Sequence, residues 1–199
     1  MFFVKFQCKN AFEIPGEKSY NIGKAQGRSE AMFQINDVIS YGAQGVYKIT
    51  AIERKAVGKE KKDYYVLTPV NEKDPLVFAP VDNPFVQKKM RRLLTPEEVH
   101  SLIDSMGGEC ALWIENENER KERYKSILSR GDHVELIQMI KAIYAHQKQR
   151  EAEGKRLHMC DEYFFRDAEQ LLYNEFRYVL GFGSKEDLMR YIFDRIENK

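Results

Sequence analysis

Glycine stands at both ends of a four-residue link, Gly42-Ala43-Gln44-Gly45, between two runs rich in β-branched and aromatic residues, 37–41 and 46–53. Glycine adopts positive φ without steric cost, so so short a link with glycine at each end turns the chain back on itself. A third run, Asp63-Tyr-Tyr-Val-Leu-Thr68, and a fourth, Leu76-Val-Phe-Ala79, follow after polar or proline-containing breaks, and residues 85–94 offer a fifth. Short strands about ten residues apart, with no helical pattern between them, predict a small antiparallel barrel or rolled sheet. Ile39 or the alternate pair Val38 and Tyr41, followed by Val46, Ile49 and Ile52, are the inward candidates. The charge run 54–63 is expected to form a solvated hairpin tip.

At Thr95 the pattern changes. Thr95-Pro96-Glu97-Glu98 combines a capping residue, proline at the first helical position and glutamate at the third. Val99, Leu102 and Ile103 give that helix an apolar side. A charged helix follows over about 116–130, with Tyr124, Ile127 and Leu128 as its buried side. Gly131 closes it and Asp132 opens the next, whose apolar residues are Leu136, Ile137, Ile140, Ile143 and Tyr144. A polar linker is expected over 147–155, then a long helix over about 161–180 with the stripe Phe165, Ala168, Leu172, Phe176 and Val179. Ser184 and Asp187 cap a last helix, 185–197. The class is therefore α+β: a sheet domain over 32–94 and an all-α domain of about five helices over 95–199. Residues 1–31 are polar and without period from Ile14 onward, so they are expected to be a disordered or non-native extension ahead of a start at Met32, the alternative being a regulatory tail.

Composition narrows the function. The 199 residues carry 32 Lys/Arg against 31 Asp/Glu, a net charge of +1. Residues 32–94 hold eleven basic and seven acidic residues, and residues 95–199 hold sixteen and twenty-one. Neither half has the excess of a protein that holds nucleic acid by charge alone. Three cysteines without CxxC spacing argue against a disulfide framework or a cysteine-rich zinc site and fit a reducing cytoplasm. The N-terminus lacks the basic and apolar regions of a signal peptide, and no run approaches the length of a membrane span. No phosphate loop, HExxH or activated nucleophile is present, so neither enzyme activity nor a cofactor is expected. His158 and Cys160 lie two apart, but two ligands do not make a metal site; helix entry and burial suit them better.

Several of these pieces together resemble the CarD/CdnL family of bacterial transcription regulators. They are Phe33, Asp37-Val-Ile-Ser-Tyr-Gly-Ala-Gln-Gly-Val46, Ala51-Ile-Glu53, Tyr64-Tyr-Val-Leu67, Ala79-Pro-Val-Asp-Asn83 and Met90-Arg91. Arg123-Tyr-Lys125 and Leu128-Ser-Arg-Gly-Asp132 extend the match into the helices. The resemblance implies a Tudor/SH3-like antiparallel β-barrel that docks on the RNA polymerase β subunit. It also implies a helical domain that contacts promoter DNA at the upstream edge of the melted region and stabilises the open complex, without base-specific readout. The chain is then expected to be a cytoplasmic, nucleoid-associated monomer. By resemblance the docking surface includes Ile52, Arg54, Lys55, Val77 and Phe78, where strand edges receive a partner strand. A basic residue that some relatives carry at the place of Phe78 is missing.

The DNA side implied by the resemblance comprises Trp113, Arg120, Lys121, Arg123, Lys125 and Arg130, with Glu122 the one acid within that basic cluster. Four phosphate contacts would give a salt slope of only about −3.6. Tethering to polymerase would supply an effective concentration on the order of millimolar. Some relatives wedge a tryptophan into the minor groove from four residues before the tyrosine that matches Tyr124. Arg120 occupies that place here, so Trp113 either reaches the groove from the preceding loop or packs with Leu112 and Ile114 against the bundle. Two other classes fit the same residues: a small barrel that binds RNA or a ribosomal partner, and a regulatory scaffold whose acidic helical half binds only protein.

Overall fold

The computed structural model describes residues 33–57, 60–71, 75–107 and 113–197. The expected N-terminal extension, Cys8 and Cys110 fall outside them. Five antiparallel strands, β1 (Val38–Tyr41), β2 (Val46–Val57), β3 (Glu60–Pro69), β4 (Val77–Pro80) and β5 (Met90–Arg92), form one sheet in the order β4-β3-β2-β1-β5. The class is α+β, as expected, but the barrel is not closed: β4 and β5 end the strand order and do not pair with each other.

The glycine link does what its composition requires. Gly42 and Gly45 take φ of 50° and 104°, a 3-10 turn lies between them, and the Tyr41 N–H closes the reversal on the Gly45 carbonyl at 2.9 Å. Ser40 is thereby set opposite Val46. Thr50 is an extra residue, because Ile49 faces Leu67 while Ala51 already faces Val66. Its hydroxyl donates to the Val66 carbonyl at 3.2 Å and lies 2.9 Å from that of Thr68. The bulge reverses side-chain parity, so Tyr47, Ile49 and Ile52 share a face. That face carries the sheet core of Ile39, Tyr41, Tyr47, Ile49, Tyr65, Leu67, Ala79, Val81 and Met90. Ile52, expected to point inward, is on that face but 40% exposed, because the strands run past the end of the core.

Over its described residues the charge run 54–63 is not a loop but paired strand, from Arg54 opposite Asp63 to Val57 opposite Glu60. Charge neutralisation along the arm (Glu53–Lys55 3.4 Å, Glu60–Lys62 2.9 Å) lets polar residues extend the ladder. The fifth strand expected within 85–94 is the three-residue β5; it is short because Asn83 first caps a helical turn, α1 (Pro84–Gln87), by accepting from Phe85 N–H at 2.9 Å.

The helices are α2 (Pro96–Ser105), α3 (Glu117–Arg130), α4 (His133–Ala152), α5 (Met159–Leu180) and α6 (Lys185–Glu197). Thr95 and Glu98 form the expected reciprocal cap of α2, with backbone-to-side-chain bonds of 3.2 and 2.8 Å. Gly131 ends α3 in the left-handed conformation (φ 65°), and Asp132 caps α4. The expected linker 147–155 is mostly helix: Gln147 is buried and donates to Glu151, and Lys148 pairs with the same carboxylate, so α4 runs on to Ala152. His158 caps α5, its Nδ1 accepting the Cys160 N–H at 3.4 Å. The apolar stripes meet in one core that includes Val99, Ile103, Ile127, Ile140, Phe176 and Leu188. Arg195 fastens α6 to Asp104 of α2 with bonds of 2.7 and 3.0 Å.

Candidate docking edge and nucleic-acid face

β4 is paired on one side only. Its Val81 neighbour donates its N–H to the Asp63 carbonyl at 2.9 Å, and the register places Ala79 opposite Tyr65 and Val77 opposite Leu67. Backbone direction alternates along an antiparallel strand, so 77, 79 and 81 face β3, and the N–H and C=O of Phe78 face the open edge. Pro80 has the same outward parity and lacks an N–H, which suits an edge position.

The five expected docking residues divide between the two faces of the sheet. Ile52, Arg54 and Val77 lie on the core face, Val77 packed against the core and Ile52 and Arg54 beyond it. Lys55 and Phe78 lie on the opposite face, where the Lys55 ammonium sits 2.9 Å from the centroid of the Phe78 ring. Phe78 is 43% exposed. A positive charge therefore stands beside position 78 although the residue itself is aromatic, supplied from β2 across the intervening β3 and held by the ring's negative face.

The helical cluster is reshaped more strongly. Arg120 is buried, at 6% exposure. Its guanidinium donates to both carboxylate oxygens of Asp161 (2.9 and 3.1 Å) and to the carbonyls of Ile114 and Glu115 (2.7 and 3.2 Å). Arg120 is thus withdrawn from the phosphate-contacting set, because its donors already hold the α3–α5 contact together. The surface cations that remain are Lys121, Arg123, Lys125 and Arg130. Lys121 pairs with Glu117, and Lys125 with Glu122 at 3.2 Å. Arg123 and Arg130 converge on Glu135 at 2.9 and 2.8 Å. A phosphate would have to compete with these carboxylates.

Trp113 is partly buried against the helical core. Its ring stacks on His146, centroids 3.7 Å apart and planes 6° from parallel, and the Arg120 guanidinium lies 4.3 Å from its centroid. Burial pushes the His146 pKa down, with the charges of Arg150 and Arg120 acting in the same direction against Glu115 and Asp161. Of the two readings for Trp113, this packing corresponds to the bundle contact.

Sequence reasoning did not single out the junction between the halves. Glu175 of α5 is 1% exposed. It accepts two bonds from Arg91 (3.0 and 2.7 Å), one from the Leu94 N–H (3.1 Å) and one contact from His133 Nε2 (3.0 Å). Desolvation alone would raise its pKa, but hydrogen bonds from His133 and Arg91, with Arg91's charge, hold it down to about 2. Above these groups opens a groove of about 530 Å³, walled by Arg91, Arg130, His133 and Glu135. The available signal was a charge on an apolar stripe: Ala168, Leu172, Glu175 and Val179 recur at helical spacing.

Among the described residues no three His, Cys, Asp or Glu side chains gather as a metal site, and no helix is long and apolar enough to cross a membrane. No curated protein matches the chain. The family model described as CarD-like/TRCF RID domain matches residues 33–94, from the start of the sheet to the end of the linker. The sheet half is therefore similar to the CarD-like/TRCF RID domains, a family of RNA polymerase-interacting domains.

Proposed function

We propose that this protein is a bacterial transcription regulator that docks through the β4 edge on the RNA polymerase β subunit and lays its helical half on promoter DNA, stabilising the open complex. The observation that carries the reading is the unpaired edge at Phe78, in a domain matched to polymerase-interacting modules. A partner strand added there would bond to the outward N–H and C=O of Phe78, while Lys55 and the Phe78 ring meet its side chains. On the DNA side Lys121, Arg123, Lys125 and Arg130 form a sparse backbone-contacting set without base readout, effective once docking has concentrated it near the duplex. The protein would act in the cytoplasm, at the nucleoid, as a monomer and without a cofactor.

The test is a pull-down of the full chain by a polymerase β-lobe fragment, compared with Phe78→Pro, which removes the outward donor. Binding by the wild type at micromolar concentration and its loss in the variant are expected; failure of the wild type to bind sinks the reading. One observation favours a protein-only scaffold as the second reading: each of the four surface cations already has a carboxylate partner. A promoter-complex lifetime that is unchanged by Lys125→Glu, with polymerase binding intact, would select that alternative.

A further inference from the structure

We infer that Glu175 is a positioning residue: it fixes the angle between the sheet and the helices, and so where α3 points once the sheet is docked. The second part of this inference rests on the polymerase-and-promoter reading; the first does not.

Four segments converge on this one carboxylate. Arg91 comes from β5, Leu94 from the linker, His133 from the first turn of α4, and Glu175 itself from α5. Strand alternation explains the reach of Arg91. Met90 points into the sheet core, so Arg91 must emerge from the opposite face, opposite Ser40 and toward the helices. A guanidinium fork meeting a carboxylate with two bonds fixes direction as well as distance. Beside this carboxylate the two halves also approach each other at glycines. A β-carbon placed on Gly131 would lie 3.9 Å from the Gly42 carbonyl oxygen, and one on Gly45 would lie 4.0 Å from Asn174 Nδ2.

Energetics point the same way. Burying a carboxylate is costly, and replacing a buried ion pair by apolar residues is often neutral or favourable. Compared with an apolar replacement such a group adds little net stability, but its geometry restricts the junction to one arrangement. For a molecule that must touch polymerase and DNA at once, that restriction raises the effective concentration of the second contact.

The experiment uses the full chain with its native cysteines replaced by serine and spin labels at Lys61→Cys on β3 and Gln149→Cys on α4. The distance distribution between labels is recorded for the parent, Glu175→Gln, Arg91→Ala and Arg91→Lys, with helicity checked in each. One narrow distance is expected in the parent, a clearly wider or shifted one in Glu175→Gln and Arg91→Ala, and an intermediate one in Arg91→Lys. If Glu175→Gln loses its helicity, the two Arg91 variants decide. An unchanged distribution in folded Arg91→Ala and Arg91→Lys overturns the latch. With polymerase and promoter, Arg91→Ala should keep its affinity for the isolated β-lobe yet lose about tenfold in apparent affinity for the promoter–polymerase complex. A widened angle with undiminished promoter-complex affinity overturns the positioning role. If the parent does not bind the β-lobe at all, the functional reading fails while the distance measurement still decides the latch.

Discussion

Arg120 and Lys125 lie five positions apart on one helix and do opposite work. Arg120→Ala would leave Asp161 buried and unpaired, a loss of about 3–5 kcal/mol in a denaturation experiment followed by helix signal. Lys125→Ala, at the surface, should fall within about 0.5 kcal/mol of wild type. Trp113 is the sole tryptophan, so its fluorescence reports the stack on His146. The folded pKa of His146 is depressed, so the neutral ring is favoured and the stack contributes fully above pH 6.5. That contribution is lost as pH falls through the folded value; a fluorescence transition below pH 6.5, absent in His146→Gln, is expected. Two carboxylates extend the argument to acid. Glu98 is held down to about 2, first by hydrogen bonds from Arg92 and then by the Thr95 N–H. Glu175 is held equally low by His133 and Arg91, against its desolvation. Both stabilise the fold above their unfolded pKa, near 4.5, and lose that contribution as pH falls toward 2. Melting temperatures measured from pH 6 to pH 2 should therefore drop most steeply below pH 4.5.

At the scale of elements, β4 decides what the sheet can do. Its backbone parity separates two substitutions one residue apart. Val77→Pro removes a donor directed at Leu67 and should destabilise the sheet itself, visible in its melting. Phe78→Pro removes a donor directed at the open edge and should leave the melting nearly unchanged while weakening β-lobe binding. The hairpin arm and α4 both run past the expected ends, for one reason. Paired charges keep polar residues in regular structure, Glu53 with Lys55 and Glu60 with Lys62 in the arm, Lys148 with Glu151 in the helix. The α2 cap is local and sequence-encoded: Thr95→Ala should cost about 1 kcal/mol.

For the molecule as a whole, the proposed function requires a thin cationic face and a specific anchor to act together. With Arg120 committed to Asp161, four cations remain for phosphates, so the slope of log affinity against log salt should not exceed about −3.6 in magnitude, and Lys125→Ala should reduce it by about 0.9. Titrating promoter-complex lifetime against salt measures both. A slope near zero would instead match a helical half that meets only protein.

The α+β class, the glycine-ended reversal, the caps at Thr95, Asp132 and Ser184, and most apolar stripes follow from the sequence, because each depends on neighbours within a few residues. The family resemblance of residues 33–94 was legible there as well, carried by Asp37-Val-Ile-Ser-Tyr-Gly-Ala-Gln-Gly-Val46 and the later strand pieces. The open rather than closed sheet, the burial of Arg120, the stacking of Trp113 on His146 and the convergence on Glu175 came only with the tertiary structure. Each depends on partners 33 to 84 residues apart in the chain, or on which strand ends the sheet. A charged side chain reads alike in sequence whether it meets water, a phosphate or a buried carboxylate, and only packing decides among them.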